Sequence, residues 1–233
     1  MNTRIVCAAA LAAAAALSIV RAAQAAEFVP DGTYQYAFKQ GSTTIGESSV
    51  AVKRSGSVIS IHENQTLTDA QLGAVKATAD ESILADTLAP LSFSASYAAS
   101  GKTVEVKLAL SGGSGAFERD GERLTVPVRM LTGTQAMAVE DQALVTSFIV
   151  FPALTQNAKA SAFTIAVPTA ARTFVMRVDP MAATKPAGVP ANDTSVSFAS
   201  PVAFSIWYDP RTGVVDEIDV PSQSLVIALT KHT

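Results

Sequence analysis

Two histidines, His62 and His232, are the residues of this 233-residue chain best suited to acid–base or metal chemistry. His232 is the penultimate residue, and we expect it to be frayed. His62 shares the polar side of an alternating strand with Ser60 and Asn64, which favours a solvated or hydrogen-bonded ring over a catalytic one. The His62-Glu63 pair has no second histidine four residues on, which excludes a zinc-protease helix.

A nucleophilic serine or a phosphate-binding loop would need glycines at fixed spacing. The nearest match to a Gly-x-Ser-x-Gly elbow is the run Gly-Gly-Ser-Gly-Ala at 112–116, which ends in alanine and lies between two strand patterns. A hairpin loop explains this run better than an active site. Neither Gly-x-x-x-x-Gly-Lys-Ser/Thr nor Gly-x-Gly-x-x-Gly occurs. We therefore expect no catalytic residues and no enzymatic activity.

A group of carboxylates near the C-terminus has the oxygen ligands that calcium prefers. Asp216, Glu217 and Asp219 lie in one strand pattern, and Asp209 lies in the preceding turn. The run lacks the glycine-punctuated loop that points such ligands at one centre. We favour the interpretation that these charges discourage edge pairing of an exposed strand. No metal and no cofactor is expected.

The composition excludes several classes of protein. The 17 basic and 20 acidic residues give a formal charge of −3, so no basic field is present for general nucleic-acid binding. Apolar residues make up 48% of the chain and charged residues 16%, which is typical of a globular protein rather than a collagen, a coiled coil or a disordered chain.

Residues 1–25 have the pattern of a secretory signal peptide. A short basic start is followed by an apolar run over 5–20, and Ala23-Gln24-Ala25 suits a signal peptidase. The run is shorter than the about 20 residues of a membrane-spanning helix, so no span is expected after cleavage. Cleavage removes Cys7, the only cysteine. We expect a disulfide-free protein of the Gram-negative periplasm, or a secreted one, with residues 26–233 forming a single β-rich domain.

Short runs of alternating apolar and polar residues, separated by turn residues, dominate the remainder. Tyr34, Tyr36 and Phe38 fall on one face of the first strand, and Asp120-Gly121 marks a hairpin. Residues 72–79 are a weaker strand pattern, 80–91 predict a helical or looped connection, and 179–192 predict a long loop. Roughly 11–13 strands of the usual length fit the chain, so the predicted fold is mainly β, with a curved antiparallel sheet.

One helix is predicted at 140–151. Glu140 and Asp141 suit a helix N-terminus, apolar residues recur at helical spacing, and Pro152 is expected to end the helix. Its apolar stripe is broad for its length. We therefore expect this central helix to be buried against the concave face of the sheet.

Four aromatic residues are candidates to line an apolar cavity between the sheet and this helix: Phe148, Phe151, Phe204 and Trp207. Trp207 has the opposite parity to Phe204, so their strand carries large apolar groups on both sides. Either both faces of the strand are buried in the protein, or one face packs against the helix and the other contacts a ligand or a partner.

Several short segments resemble a group of uncharacterised bacterial periplasmic proteins whose sheets are similar to the half-barrel of lipoprotein carriers. The segments are Gly32-Thr33-Tyr34-Gln35-Tyr36, Ile45-Gly46, Leu88-Ala89-Pro90-Leu91, Asp141-Gln142-Ala143-Leu144-Val145, Phe151-Pro152, Ile206-Trp207-Tyr208-Asp209 and Ile218-Asp219-Val220-Pro221-Ser222-Gln223. The resemblance implies a strongly curved antiparallel sheet, a half-barrel or open barrel, wrapped around one helix with an apolar cavity between them. It implies no catalytic residue.

Two functions follow as hypotheses. The first is a non-enzymatic periplasmic carrier that holds a lipid or acyl chain between the sheet and the helix. The alternative is an envelope interaction or accessory protein with a filled core that binds a protein partner. An enzyme is the least favoured hypothesis, because acid–base and nucleophilic groups are scarce.

Overall fold

A computed structural model describes residues 29–69, 73–111, 114–127, 136–141, 144–158, 161–181, 183–200 and 202–233. The predicted signal peptide at 1–25 lies outside these ranges. None of the helices in the described ranges is both long and apolar enough to cross a membrane.

The described chain is dominated by strands. Tyr34, Tyr36 and Phe38 are buried on one face of the first strand, as their alternation predicts. The fifteen strands are β1 (Gly32–Gln40), β2 (Thr43–Ser55), β3 (Val58–Asp69), β4 (Gly73–Leu84), β5 (Pro90–Ala99), β6 (Lys102–Ser111), β7 (Ser114–Arg119), β8 (Glu122–Pro127), β9 (Met137–Val139), β10 (Ala162–Val167), β11 (Arg172–Asp179), β12 (Thr194–Ser200), β13 (Phe204–Tyr208), β14 (Val215–Val220) and β15 (Leu225–His232).

All fifteen strands belong to one sheet, in the order β8-β7-β6-β5-β4-β3-β2-β1-β15-β14-β13-β12-β11-β10-β9. Neighbours are antiparallel except for β9 and β10, which are parallel. The pairing of β1 with β15 joins the two halves of the chain. His232 belongs to this pair and stacks on Tyr34 with ring centroids 4.4 Å apart, so the expectation that it is frayed is wrong.

The predicted helix at 140–151 is replaced by two short helices, α1 (Val145–Phe148) and α2 (Phe151–Ala158). Pro152 lies at the start of α2 rather than at the end of a helix. The first turn of a helix tolerates proline because its N–H groups have no partner within the helix. The predicted connection at 80–91 is also shorter than expected, because β4 continues to Leu84 and β5 begins at Pro90.

The sheet curves until its two ends approach each other. Strand β9 packs against β5, and a 3-10 helix at Pro168–Ala170, which follows β10, packs against β6 and β7. One apolar cluster fills the space between β1–β3, β10–β15 and the two helices. A second lies between β4–β7 and β9, around Phe93, Leu108 and Phe117. Each of these large buried side chains contributes about 2 kcal/mol by leaving water.

The predicted fold class is confirmed: the protein is mainly β, with one large, open and curved sheet around a short helical segment. The sheet has fifteen strands instead of 11–13. The loop predicted at 179–192 is present, between the end of β11 and the start of β12.

Candidate functional site

Three of the four predicted cavity residues lie together in the larger apolar cluster. Phe148 meets Phe204 edge-on with ring centroids 5.3 Å apart, and Phe148 and Phe151 are 6.0 Å apart. Phe198, which the sequence analysis did not select, stacks on Phe204 at 4.7 Å. Offset and edge-on packing of this kind fills space between α1, α2 and the sheet. That these residues bind an apolar ligand stays a prediction.

Trp207 lies apart from the other three because alternate residues of β13 face opposite sides of the sheet. It is buried on the side away from Phe204, where the Lys185 ammonium lies 5.6 Å from its ring centroid. Lys185 also donates hydrogen bonds to the backbone carbonyls of Pro190, Ala191 and Asp193 at 2.7–3.2 Å. The loop between β11 and β12 thus covers Trp207, and β13 is buried on both faces.

A cleft of about 560 Å³ opens on the concave side of the sheet, away from the aromatic cluster. This volume is within the range of about 300–1,000 Å³ typical of small-molecule sites. Strands β3 to β7 form most of its wall, and the 3-10 helix borders it. The lining residues are Gln65, Leu67, Val75, Tyr97, Ala99, Lys102, Val104, Arg119, Thr169 and Ala170.

The strand register explains why these side chains meet. Gln65, Ala77, Tyr97 and Val104 lie side by side on β3, β4, β5 and β6. The next row toward the strand ends contains Leu67, Val75, Ala99 and Lys102 in the same order. Because residues two positions apart share a face, both rows point to the concave side.

The 3-10 helix is held at the cleft by a buried carboxylate. Thr169 donates its backbone N–H to Asp141 at 3.1 Å and its hydroxyl to the same carboxylate. Burial raises the pKa of Asp141 to about 6, although the bonds from Thr169 act in the opposite direction. Arg119 donates to the Thr169 carbonyl at 3.2 Å. Burial and then the charge of Asp141 raise the pKa of Tyr97 well above its usual range.

Two buried glutamates extend the same concave face beyond the cleft. Glu63 accepts the hydroxyl of Ser48 at 2.6 Å and the backbone N–H of Thr146, in the first turn of α1, at 2.8 Å. Burial raises the pKa of Glu63, although these hydrogen bonds lower it. Burial alone raises the pKa of Glu81 to about 8. One Glu81 carboxyl oxygen has no hydrogen-bond partner among the described residues.

His62 lies on the opposite, convex face of β3, as its polar neighbours predict. Its Nδ1 is 2.8 Å from an Asp80 carboxylate oxygen, and its Nε2 is 3.0 Å from the Asn64 amide nitrogen. The His62 and Asp80 side chains are 48% and 70% exposed. The ring is hydrogen-bonded and solvated on an open surface, with the sheet between it and the cleft.

The C-terminal carboxylates lie along β14, which pairs with β13, and in the turn between these two strands. Burial, and then the neighbouring Asp193, raise the pKa of Asp216 to about 7. Burial also raises the pKa of Glu217 and of Asp219. Arg211 pairs with Asp209 at 3.0 Å. In the part of the chain that the structure describes, no three His, Cys, Asp or Glu side chains are grouped so that they could hold a metal ion.

Comparison with known proteins gives a likeness in fold. No family model and no curated protein matches the chain. A crystal structure matches it: the beta-barrel-like protein of domain of unknown function DUF1849 from Brucella abortus. The chain has a similar fold to that protein. The TM-score is 0.53 at 10% identity, over 87% of this chain and 95% of the other. The likeness supports the predicted resemblance to uncharacterised proteins with a beta-barrel-like fold, and at this identity it shows the fold alone.

Sequence reasoning missed the cleft and the buried acids. For Glu63 and Glu81 a signal was present, because each takes the place of an apolar residue in an alternating strand. Glu63 follows Ile59 and Ile61 on the buried side of β3, and Glu81 precedes Ile83 on that of β4. If the strand continues to such a position, an acidic residue there faces the core as its apolar neighbours do and is buried.

Proposed function

We propose that the protein is a non-enzymatic carrier that binds the apolar chain of a lipid or acyl compound in the cleft between β3–β7 and the 3-10 helix. The observation that carries this proposal is the open cleft of about 560 Å³. Leu67, Val75, Ala99 and Val104 supply apolar wall, and Tyr97 adds an aromatic surface. Sites that bury an apolar ligand have this composition of mostly apolar walls with a few polar groups.

The placement of His62 on the convex face supports a binding role rather than a histidine-dependent enzymatic one. The closest pairing of a histidine with a carboxylate in the described chain is His62 with Asp80, and it lies on the convex face. A ligand in the cleft would be separated from this pair by the sheet. Acid–base catalysis requires such a group within hydrogen-bond reach of the substrate.

The compartment that fits this proposal is the periplasm or the extracellular space. The support is the signal-like pattern at 1–25 and the absence of cysteine after it. A carrier there would keep an apolar chain out of water while it crosses an aqueous compartment. Burial of each methylene group contributes about 0.8 kcal/mol to such binding.

The uncharged fluorophore N-phenylnaphthylamine, whose emission rises in apolar surroundings, tests the proposal. Ala99→Phe places a ring in the cleft and should weaken binding at least ~10-fold. Ala98→Phe puts the same ring on the other face of β5 and should bind as the wild type does. Thermal unfolding of both variants checks that the fold is intact.

The two variants together show whether the fluorophore binds in the cleft. Binding that is lost in Ala99→Phe and kept in Ala98→Phe supports the carrier. No fluorescence rise with the wild-type protein, or equal binding by both variants, contradicts it. Purification from periplasmic extract, followed by solvent extraction and mass spectrometry of the extract, then identifies the natural ligand.

A further inference from the structure

Among the described residues that line the cleft, the two charged ones are both basic. Lys102 begins β6 and Arg119 ends β7, and none of the described lining residues is acidic. This bias is opposite to that of the whole chain, in which acidic residues outnumber basic ones by 20 to 17. A ligand in the cleft therefore meets the ammonium of Lys102 and the guanidinium of Arg119, whose charge is partly offset by Asp120 and Asp141.

The two cations lie on the β6–β7 side of the cleft, where Lys102 is paired with Ala99 and Arg119 with Val106. Lys102 is exposed and lies next to Ala99 in the row that also contains Leu67 and Val75. Deeper in the cleft, Gln65 is buried and the Tyr97 hydroxyl has no contact with solvent. The cleft thus changes from a buried interior at Gln65 to an exposed basic residue at Lys102.

Arg119 is partly engaged with the protein itself. It donates to the Thr169 carbonyl at 3.2 Å, and its Nε lies 3.7 Å from an Asp120 carboxylate oxygen. An arginine has five N–H donors, so these contacts leave capacity for an anionic oxygen. Lys102, whose ammonium has three donors on a flexible stem, supplies the second contact.

We propose that the cleft binds a single-chain amphiphile with an anionic head group, the chain lying against Leu67, Val75 and Val104 and the head group between Lys102 and Arg119. This proposal rests on the proposed function and adds the class of head group. Carboxylate and phosphate share the chemistry that these cations recognise. A neutral or cationic head group on the same chain would have no charged partner at the rim.

Four ligands with one chain and different head groups test this inference: dodecanoate, dodecyl phosphate, dodecanol and dodecyltrimethylammonium. Each displaces N-phenylnaphthylamine at a concentration below that at which it forms micelles. We expect dodecanoate or dodecyl phosphate to bind about fivefold more tightly than dodecanol, and the cation to bind most weakly. The stronger of the two anions shows whether the cleft prefers a carboxylate or a phosphate head group. High salt should reduce the advantage of both anions.

Lys102→Gln should remove most of the preference for the two anions over dodecanol. Lys107→Gln is the matched control, because Lys107 lies on the same strand but on the convex face, 3.6 Å from Glu118. Equal affinity of anions and dodecanol for the wild type, or the same loss in both variants, overturns the head-group inference and leaves the carrier proposal standing. If none of the four ligands displaces the probe, both proposals fail.

Discussion

Thr169 donates both its backbone N–H and its hydroxyl to the carboxylate of Asp141. Asp141 lies just ahead of α1, and Thr169 lies in the 3-10 helix that borders the cleft. One carboxylate therefore joins the helical segment to a wall of the cleft. Charge-assisted hydrogen bonds of this kind are about twice as strong as neutral ones.

Asp141→Ala should loosen this wall. The Thr169 N–H loses its acceptor, so its hydrogen exchange should accelerate and the affinity for N-phenylnaphthylamine should fall about fivefold. Asp179→Ala is a suitable control, since Asp179 accepts the Met181 N–H in a loop outside the cleft. Unchanged exchange at Thr169 in the Asp141 variant would contradict the role assigned to this pair.

Glu81 should make the protein less stable as the pH rises. The pKa of Glu81 is raised from 4.5 to about 8 in the folded state, so the folded state holds a proton that the unfolded chain releases. The contribution of Glu81 to stability is fully present below pH 4.5 and is lost as the pH rises to about 8. Urea unfolding near pH 5 and pH 8 measures this, with Glu81→Gln as the isosteric variant. The wild type should lose ~3 kcal/mol more than the variant.

The comparison with Glu81→Gln isolates one group from the other titrating residues. If the free energy of unfolding changes equally with pH in both proteins, Glu81 does not hold an extra proton in the folded state, which contradicts this prediction.

Glu63→Ala should destabilise the protein by ~3 kcal/mol, because it leaves the Thr146 N–H and the Ser48 hydroxyl buried without their acceptor. Glu63→Gln keeps one acceptor oxygen, so its cost should be about half as large. Urea unfolding at constant pH gives both values. A loss for the alanine variant no greater than that for the glutamine variant would show that Glu63 does not hold the start of α1.

Lys185→Met should expose Trp207. The variant keeps an apolar stem but loses the three donated hydrogen bonds that hold the loop over the ring. Trp207 is the only tryptophan in the chain, so its fluorescence reports on this site directly. We expect a red shift, stronger quenching by acrylamide and a loss of about 1–2 kcal/mol. Lys53→Met, at an exposed position of β2, should change none of these. A spectrum unaltered by Lys185→Met argues against the loop contact.

Much of the sheet is predictable from residue alternation. Alternation predicts the buried face of β1, which carries Tyr34, Tyr36 and Phe38. It also predicts that Phe204 and Trp207, three positions apart in one strand, lie on opposite faces of the sheet. The helical segment was less accurately predicted. Pro152 is compatible with both the end of one helix and the first turn of another, and local pattern does not distinguish these.

The cleft depends on contacts that a local pattern does not contain. Its wall requires the Pro168–Ala170 3-10 helix to reach β6 and β7, which precede it by about fifty residues or more. The local sequence around Arg119 and Thr169 does not mark either residue as part of a site. They become neighbours only when the curvature of the sheet brings its two ends together. Phe148 and Phe204, by contrast, are apolar residues of the kind that is buried in most proteins, and they pack against each other in the larger cluster.

Methyl NMR during titration with dodecanol locates the bound ligand. Binding in the cleft should shift the methyl resonances of Leu67, Val75 and Val104, while those of Ile149 and Leu154, in the helical segment beside the aromatic cluster, stay in place. Shifts confined to Ile149 and Leu154 would locate the ligand among Phe148, Phe151 and Phe204. That result, or the absence of any shift, would contradict binding in the cleft.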